Sequence, residues 1–347
     1  MNMIKINNFK IGPNVSPTII AELGINHNGS LERAIKIADS AIKSGADFIK
    51  HQTHIVDDEM SNEAKKVIPG NSKKNIFEII KNSSLNEEDE FKLMQYIKRQ
   101  GKVFFSTPFS RKAVDRLEKF KVPIYKIGSG ECNNYPLVEY IAKKRKPIIL
   151  STGMNDINSI KTSVEILRKY KIKYALMHCT NIYPTPDHLV RLDCIEILKN
   201  KFKDAIVGLS DHSETIYGCL GAVGKGASII EKHFVDSKKF KGPDISASMD
   251  PNELKELIKG SKIIFASRGK NKKAIKEEKK TIAFAFASIA AVKNIKKGEI
   301  FTEKNIFPLR PYNGDYKVKD YYSLLGKKAA KDISAGNQIK KAYVKKN

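Results

Sequence analysis

Eight short apolar runs, spaced along the first three-quarters of the chain, constrain its fold more than any other feature. The runs predict strands over Thr18–Asn26, Asp47–Thr53, Lys102–Pro108, Ile124–Gly130, Pro147–Gly153, Tyr174–Thr180, Ala205–Asp211 and Ser228–Phe234. Between them lie stretches of helical period. In Leu31–Lys43 the apolar residues Leu31, Ala34, Ile35, Ala38 and Ile42 fall on one helix face. Gly45 follows as a stop signal. Ser110–Phe120, Asn134–Lys144, Ile157–Tyr170 and Pro251–Phe265 have the same pattern.

Eight alternations are the count of a (β/α)8 barrel, although an open doubly wound sheet also alternates. The strand ends discriminate between the two. They carry Glu22 and Asn26, Lys50 and Gln52, Ser106 and Thr107, Lys126 and Ser129, Ser151 and Thr152, and Asn181. The last two carry Ser210-Asp211-His212 and Glu231-Lys232-His233. Polar groups from all eight ends can meet only if the sheet closes, and they meet at its C-terminal face. The expectation is therefore an α/β TIM barrel over residues 1–267.

On a strand, alternate side chains share a face, which groups Ser210 with His212 and Glu231 with His233. Parallel neighbours would bring the two imidazoles together, the beginning of a divalent metal site. Hydrogen-bonded structural histidines are the competing reading. Two lysines on strand interiors, Lys50 and Lys126, are costly to bury unpaired and point to an anionic substrate. The connection His54–Gly101, about fifty residues long, has the length of a lid or binding loop or of an inserted decoration.

The alternation ends near Ser267. A charged segment, RGKNKKAIKEEKK, makes 268–282 a solvated linker. Residues 283–347 then change period, with two IxxG turns at Ile295–Gly298 and Ile333–Gly336, and predict a small β-rich domain. The net charge of +25 invites a nucleic-acid partner, but the lysines are spread along the chain with no basic helix interleaved with aromatics. No nucleic acid is expected. Cys132, Cys179, Cys194 and Cys219 have no metal-binding spacing and read as free thiols of a reducing compartment. The first residues lack the apolar core of a signal peptide, and the longest apolar run, Ile282–Val292, is too short for a bilayer. A cytoplasmic protein without a membrane partner is expected.

Taken together, AELGINHNGS (21–30), KHQTH (50–54), STPFS (106–110), KIGSGECNNYPL (126–137) and STGMN (151–155) resemble the sialic acid (N-acetylneuraminate) synthase family. HCTNIYPTP (178–186), GLSDH (208–212), EKHF (231–234) and GPD (242–244) extend the resemblance, and the C-terminal segment is similar to that family's antifreeze-like (SAF, β-clip) domain. The resemblance implies a phosphoenolpyruvate-dependent, C–C bond-forming transferase that condenses phosphoenolpyruvate with N-acetylmannosamine and water, releasing phosphate. It implies a divalent metal on His212 and His233, manganese first, with magnesium or cobalt as alternatives. It makes Glu22 the residue that manages protons on water. Lys50, Thr107, Lys126, Ser129, Ser151, Asn181 and Ser210 match phosphoenolpyruvate contacts. Gln52, Asn71, Glu131, Tyr183, Asp244 and Arg310 match sugar contacts, the arginine reaching across a domain-swapped homodimer. Two departures stand out: Tyr312 where the family often has Gly, and Lys232 where it often has Arg.

Three alternatives remain open on the residues. The same scaffold could make legionaminic or pseudaminic acid from a diacetamido-trideoxy sugar. It could be a Schiff-base aldolase using Lys126 or Lys50. It could be a non-catalytic sugar-binding protein.

Overall fold

The structure, a computed structural model, describes residues 3–68, 74–242, 244–269 and 271–345. The chain divides into two compact units, Met1–Arg268 and Gly269–Asn347. The first begins with a hairpin absent from the sequence expectations, β1 (Ile4–Ile6) antiparallel to β2 (Phe9–Ile11). Eight parallel strands follow: β3 (Thr18–Glu22), β4 (Phe48–Thr53), β5 (Val103–Pro108), β6 (Tyr125–Ile127), β7 (Ile148–Ser151), β8 (Tyr174–Cys179), β9 (Ile206–Asp211) and β10 (Ile229–His233). They close in the order β10-β3-β4-β5-β6-β7-β8-β9, so the TIM barrel is the observed fold. Several strands end earlier than expected. Gly24, at φ +51°, turns the chain out of β3, and a turn closed by Glu131 N to Gly128 O ends β6.

Helices α1 (Leu31–Lys43), α2 (Val56–Glu59), α3 (Ile76–Ser83), α4 (Glu87–Arg99), α5 (Arg111–Lys119) and α6 (Tyr135–Ala142) belong to the first half of the barrel. α7 (Ile157–Lys169), α8 (Cys194–Lys201), α9 (Tyr217–Gly224) and α10 (Pro251–Ser267) complete it. The face of α1 is rotated from the expected one. Ala34, Ile37, Ala38 and Ala41 are its buried residues, because small side chains permit close approach to the strands, while Leu31, Ile35 and Ile42 flank them. The long 54–101 connection is no plain loop, since it holds α2, α3 and α4. Asn86 caps α4 by accepting from Asp89 N at 2.9 Å, and Glu87, Glu88, Asp89 and Glu90 complement its N-terminal dipole. α4 buries Leu93, Met94 and Ile97 and serves as the barrel's second helix.

Inside the barrel, period-two alternation separates an apolar floor from a polar roof. Ile20, Phe48, Phe105, Ile149, Met177 and Ile229 form the floor together with Ile4, Ile6 and Ile11 of the hairpin, which plugs the N-terminal mouth. Each such buried side chain contributes about 1.5–3 kcal/mol. Gly208 is required in this layer: a Cβ there would meet the Ile229 carbonyl oxygen and, at 2.6 Å, Met177 Sδ. Two residues further along each strand the inward positions become polar. Register places Glu22 beside His233 and Lys50, and Ser210 beside Glu231 and Cys179.

The second unit contains α11 (Lys279–Ala285), β11 (Ser288–Ala291), β12 (Ile306–Leu309) and α12 (Tyr321–Leu324). The expected linker is thus partly helical. β11 and β12 pair antiparallel. The two IxxG turns pair with each other, Ile295 N to Ile333 O at 2.9 Å and Ile333 N to Ile295 O at 2.8 Å. Their glycines, Gly298 and Gly336, sit at φ +87° and +84°, a region open to glycine without steric cost. Ile289, Ile295, Phe301, Ile306, Leu324 and Ile333 fill the unit's core.

Candidate active site

The roof of the barrel opens into a cleft of about 570 Å³. Three of its lining residues, Lys50, Lys126 and Glu231, form a charge cluster with Glu22. Lys50 Nζ lies 2.6 Å from Glu22 Oε2 and 3.6 Å from Glu231 Oε1, and Lys126 Nζ lies 3.0 Å from Glu231 Oε1. All four side chains are buried. Burial opposes the charge on Lys50, but Glu22 and Glu231 outweigh it and raise its pKa. For Lys126, burial and the neighbouring Lys50 prevail over Glu231 and lower it. Burial also opposes ionisation of Glu231, yet Lys126 and Lys50 hold its carboxyl below the usual range. These pairs correct one expectation: internal carboxylates already match both lysines, so burial of the lysines does not by itself demand an anionic ligand. Glu231, placed above on one face with His233 but given no site role, is the cleft residue whose part sequence reasoning missed. Its place two residues before His233 on an inward-alternating strand was the available signal.

Around this cluster stand Thr107, Ser129, Ser151, Asn181 and Ser210, all lining the cleft. Thr107 Oγ1 accepts from Lys50 at 3.3 Å, and Ser210 Oγ donates to Glu231 at 3.0 Å. Ser129 Oγ accepts from Gly153 N at 3.1 Å. Among the described residues, Ser151 Oγ, Glu231 Oε2 and His233 Nδ1 are buried without a hydrogen bond, and all three residues line this cleft. Unmet buried polar groups that converge on one cavity are the mark of a site built for a polar ligand. Three other strand-end candidates serve structure instead. Asn26 Nδ2 donates to Phe234 O and Ser248 Oγ, Ser106 bonds Thr53 at 2.7 Å, and Thr152 donates to Met177 O.

His212 and His233 also converge, with ring centroids 5.5 Å apart. His212 Nδ1 donates to Thr180 O at 3.0 Å, which leaves Nε2 as the lone-pair nitrogen. The Tyr183 hydroxyl donates to that nitrogen at 3.1 Å. Burial, with His233 adding to it, pushes His212 down to about 3, so the ring is neutral, as a ligand must be. His233 lies 3.6 Å from Asp244, beyond hydrogen-bonding distance. Gly24 lies against the same edge of the ring, where a Cβ would fall 2.8 Å from Nδ1 and Cε1. Two converging imidazoles, one with an unengaged buried nitrogen and one with an exchangeable one, fit a divalent cation. Among the described residues no cluster of three or more His, Cys, Asp or Glu could complete such a site, so substrate or water would fill its other positions.

Gln52, Glu131 and Tyr183 line the outer cleft. Burial pushes the Glu131 carboxyl up to about 7. Asp244 stands beside His233. Asn71 falls outside the described residues. Arg310 is exposed in the second unit, immediately after β12. Tyr312 is anchored there, its N donating to Ala283 O at 3.0 Å and its ring meeting Phe286 edge-on. The unusual Lys232 faces away from the cleft and is buried against Asp211 at 2.7 Å.

Residues 37–273 match the model of the NeuB family, and residues 286–345 match the SAF domain. The chain belongs to the NeuB family. It is 40% identical to the N,N'-diacetyllegionaminic acid synthase of Campylobacter jejuni over 93% of this chain and 98% of that protein. It is 37% identical to a pseudaminic acid synthase of the same species over 98% of this chain and 99% of that one. The crystal structure of a sialic acid synthetase from Leptospira borgpetersenii, in complex with citrate, superposes with a TM-score of 0.74 at 31% identity. That match covers 81% of this chain and 95% of the other. The NeuB barrel and SAF domain thus agree with the architecture read from the sequence. Among the described residues no helix is long and apolar enough to cross a membrane.

Proposed function

We propose that this NeuB-family chain is a sugar-acid synthase that joins phosphoenolpyruvate to the open-chain aldehyde of an N-acetylated amino sugar. The observation that carries the reading is the convergence of buried, unpartnered Ser151 Oγ, Glu231 Oε2 and His233 Nδ1 on a cleft floored by two lysines. In the proposed reaction, carbon 3 of phosphoenolpyruvate bonds to the aldehyde carbon. Water adds at carbon 2, and the resulting tetrahedral hemiketal phosphate expels phosphate by C–O cleavage.

Lys50 and Lys126, with Thr107, Ser129, Ser151, Asn181 and Ser210, would hold the phosphate and carboxylate oxygens. Glu231 keeps both ammonium groups aimed at the cleft, and its second oxygen can accept from a bound hydroxyl. Glu22 accepts from Gly24 N at 3.1 Å and Gln52 Nε2 at 2.9 Å beside Lys50, a fixed carboxylate suited to taking the proton of the attacking water. His212 and His233 would hold a divalent cation, manganese in this proposal, which supplies Lewis-acid polarisation of a carbonyl when bound. Gln52, Asn71, Glu131, Tyr183 and Asp244 would hold the sugar, and Arg310 would complete the site of a second subunit in a homodimer.

For the acceptor, N-acetylmannosamine is the reading from motifs. The higher identity to the diacetyllegionaminic relative favours the alternative, a diacetamido-trideoxy hexose. Phosphoenolpyruvate labelled with 18O at the bridging position tests the chemistry under either sugar. The proposal expects the label in phosphate and a product carrying three more carbons than the sugar. Label retained in the organic product, or phosphate released without a longer acid, would contradict it.

A further inference from the structure

At the end of β4, a chain of hydrogen bonds runs to Glu22 from His54 and Glu59, two residues so far without a role, through Gln52. His54 Nδ1 lies 3.0 and 3.1 Å from the two oxygens of Glu59, on α2. His54 Nε2 lies 3.2 Å from Gln52 Oε1, and Gln52 Nε2 donates to Glu22 Oε1 at 2.9 Å. The His54 ring stacks on Phe109, centroids 4.1 Å apart and planes within 12°. The side chains of His54 and Glu59 are 5% and 4% exposed, so water does not compete for these contacts.

The donors follow from the chemistry of each group. The ionised Glu59 carboxylate only accepts, so Nδ1 of His54 carries a hydrogen. The reverse orientation of the Gln52 amide would set its oxygen against a Glu22 oxygen, acceptor against acceptor. Gln52 Oε1 therefore faces His54, and Nε2 of the ring must donate as well. Both ring nitrogens thus face acceptors, Nδ1 the Glu59 carboxylate and Nε2 the Gln52 oxygen. The consequence falls on Gln52. Its oxygen is capped by His54 and one N–H is taken by Glu22, so the group it has left for the cleft is a second N–H.

We infer that His54 and Glu59 are positioning residues that fix the polarity of Gln52, so that it steadies Glu22 and offers the sugar a donor. The inference rests on the synthase reading given above. The ligand atom it selects is an acceptor oxygen, such as a ring, hydroxyl or amide oxygen of the sugar. With no donor at position 54, the amide is free to turn its oxygen toward Glu22 and present the wrong polarity to the substrate.

The test is steady-state kinetics of the full chain, varying each substrate separately. His54→Phe keeps the stack on Phe109 and removes both donors; kcat should fall about 10²-fold, or the sugar KM rise correspondingly, with the phosphoenolpyruvate KM within about threefold. His54→Gln restores a donor toward Gln52 and should recover about tenfold over His54→Phe. Glu59→Gln should lower kcat about tenfold, and it carries the test if His54→Phe does not melt as a folded protein. Kinetics of His54→Phe within about twofold of wild type, or of Glu59→Gln where that variant carries the test, would overturn the inference. So would equal impairment of His54→Phe and His54→Gln, which would reduce the ring to packing. A wild type that turns over neither sugar removes the synthase reading and this inference with it, whereas an active wild type beside unaffected variants removes the inference alone.

Discussion

Glu131 shows how a single environment sets a testable property. Burial lifts its carboxyl to about 7, so between its ordinary value of 4.5 and about 7 the folded chain binds a proton that the unfolded chain has released. Stability therefore falls as pH rises through that window. Glu131→Gln should melt like wild type near pH 4 and several degrees higher at about pH 8, where the wild type buries a charge. Thermal melts at the two pH values check this, and identical melting at pH 8 would contradict it. Residue identities at the roof were legible because polar types at strand ends are conspicuous against apolar runs. What the sequence could not supply was pairing. Glu231 bridges two lysines from β4 and β6, strands far from β10 in sequence, and only closure of the barrel brings them together. The relay from Glu59 to Glu22 was hidden for a similar reason, since hydrogen-bond polarity depends on which atom each amide presents.

At the level of elements, the long buried strands were legible and the short or interrupted ones were not. All eight expected barrel strands have observed counterparts starting within a residue of expectation, because parallel strands buried on both faces are nearly continuous apolar runs. The hairpin β1–β2 has strands of three residues, too short for periodicity to register. α4 was overlooked because its first turn is wholly acidic and reads as solvated loop until Asn86 is recognised as a cap. The hairpin's work is to seal the barrel floor, at a distance from the roof. Ile6→Ala should accordingly cost about 2–5 kcal/mol in urea unfolding while leaving the substrate KM values within about twofold. A large KM change at unchanged stability would break the separation of floor from roof.

For the whole molecule, the sequence's period change near Ser267 corresponds to the division after Arg268, and the segment beyond it folds around its own core. Arg310 is exposed on that unit, so its proposed role in a second subunit's site is a statement about assembly. Mixing subunits tests it with the full chain. Arg310→Ala and Glu22→Gln, each nearly inactive alone, should regain activity after co-refolding, because a mixed dimer holds one site with an intact barrel and an intact arginine. No recovery in a verified mixed dimer would place Arg310 outside the partner's site.

The central claim is the condensation itself, and phosphate release from phosphoenolpyruvate measures it most directly. The assay uses manganese, compares N-acetylmannosamine with the diacetamido sugar, and runs each with and without EDTA. The account predicts sugar-dependent release that the chelator abolishes. Release with one sugar only names the acceptor. Turnover that EDTA leaves untouched, or that borohydride traps on Lys126 or Lys50, would contradict the metal-assisted synthase in favour of a Schiff-base enzyme. Silence with both sugars would leave a binding protein.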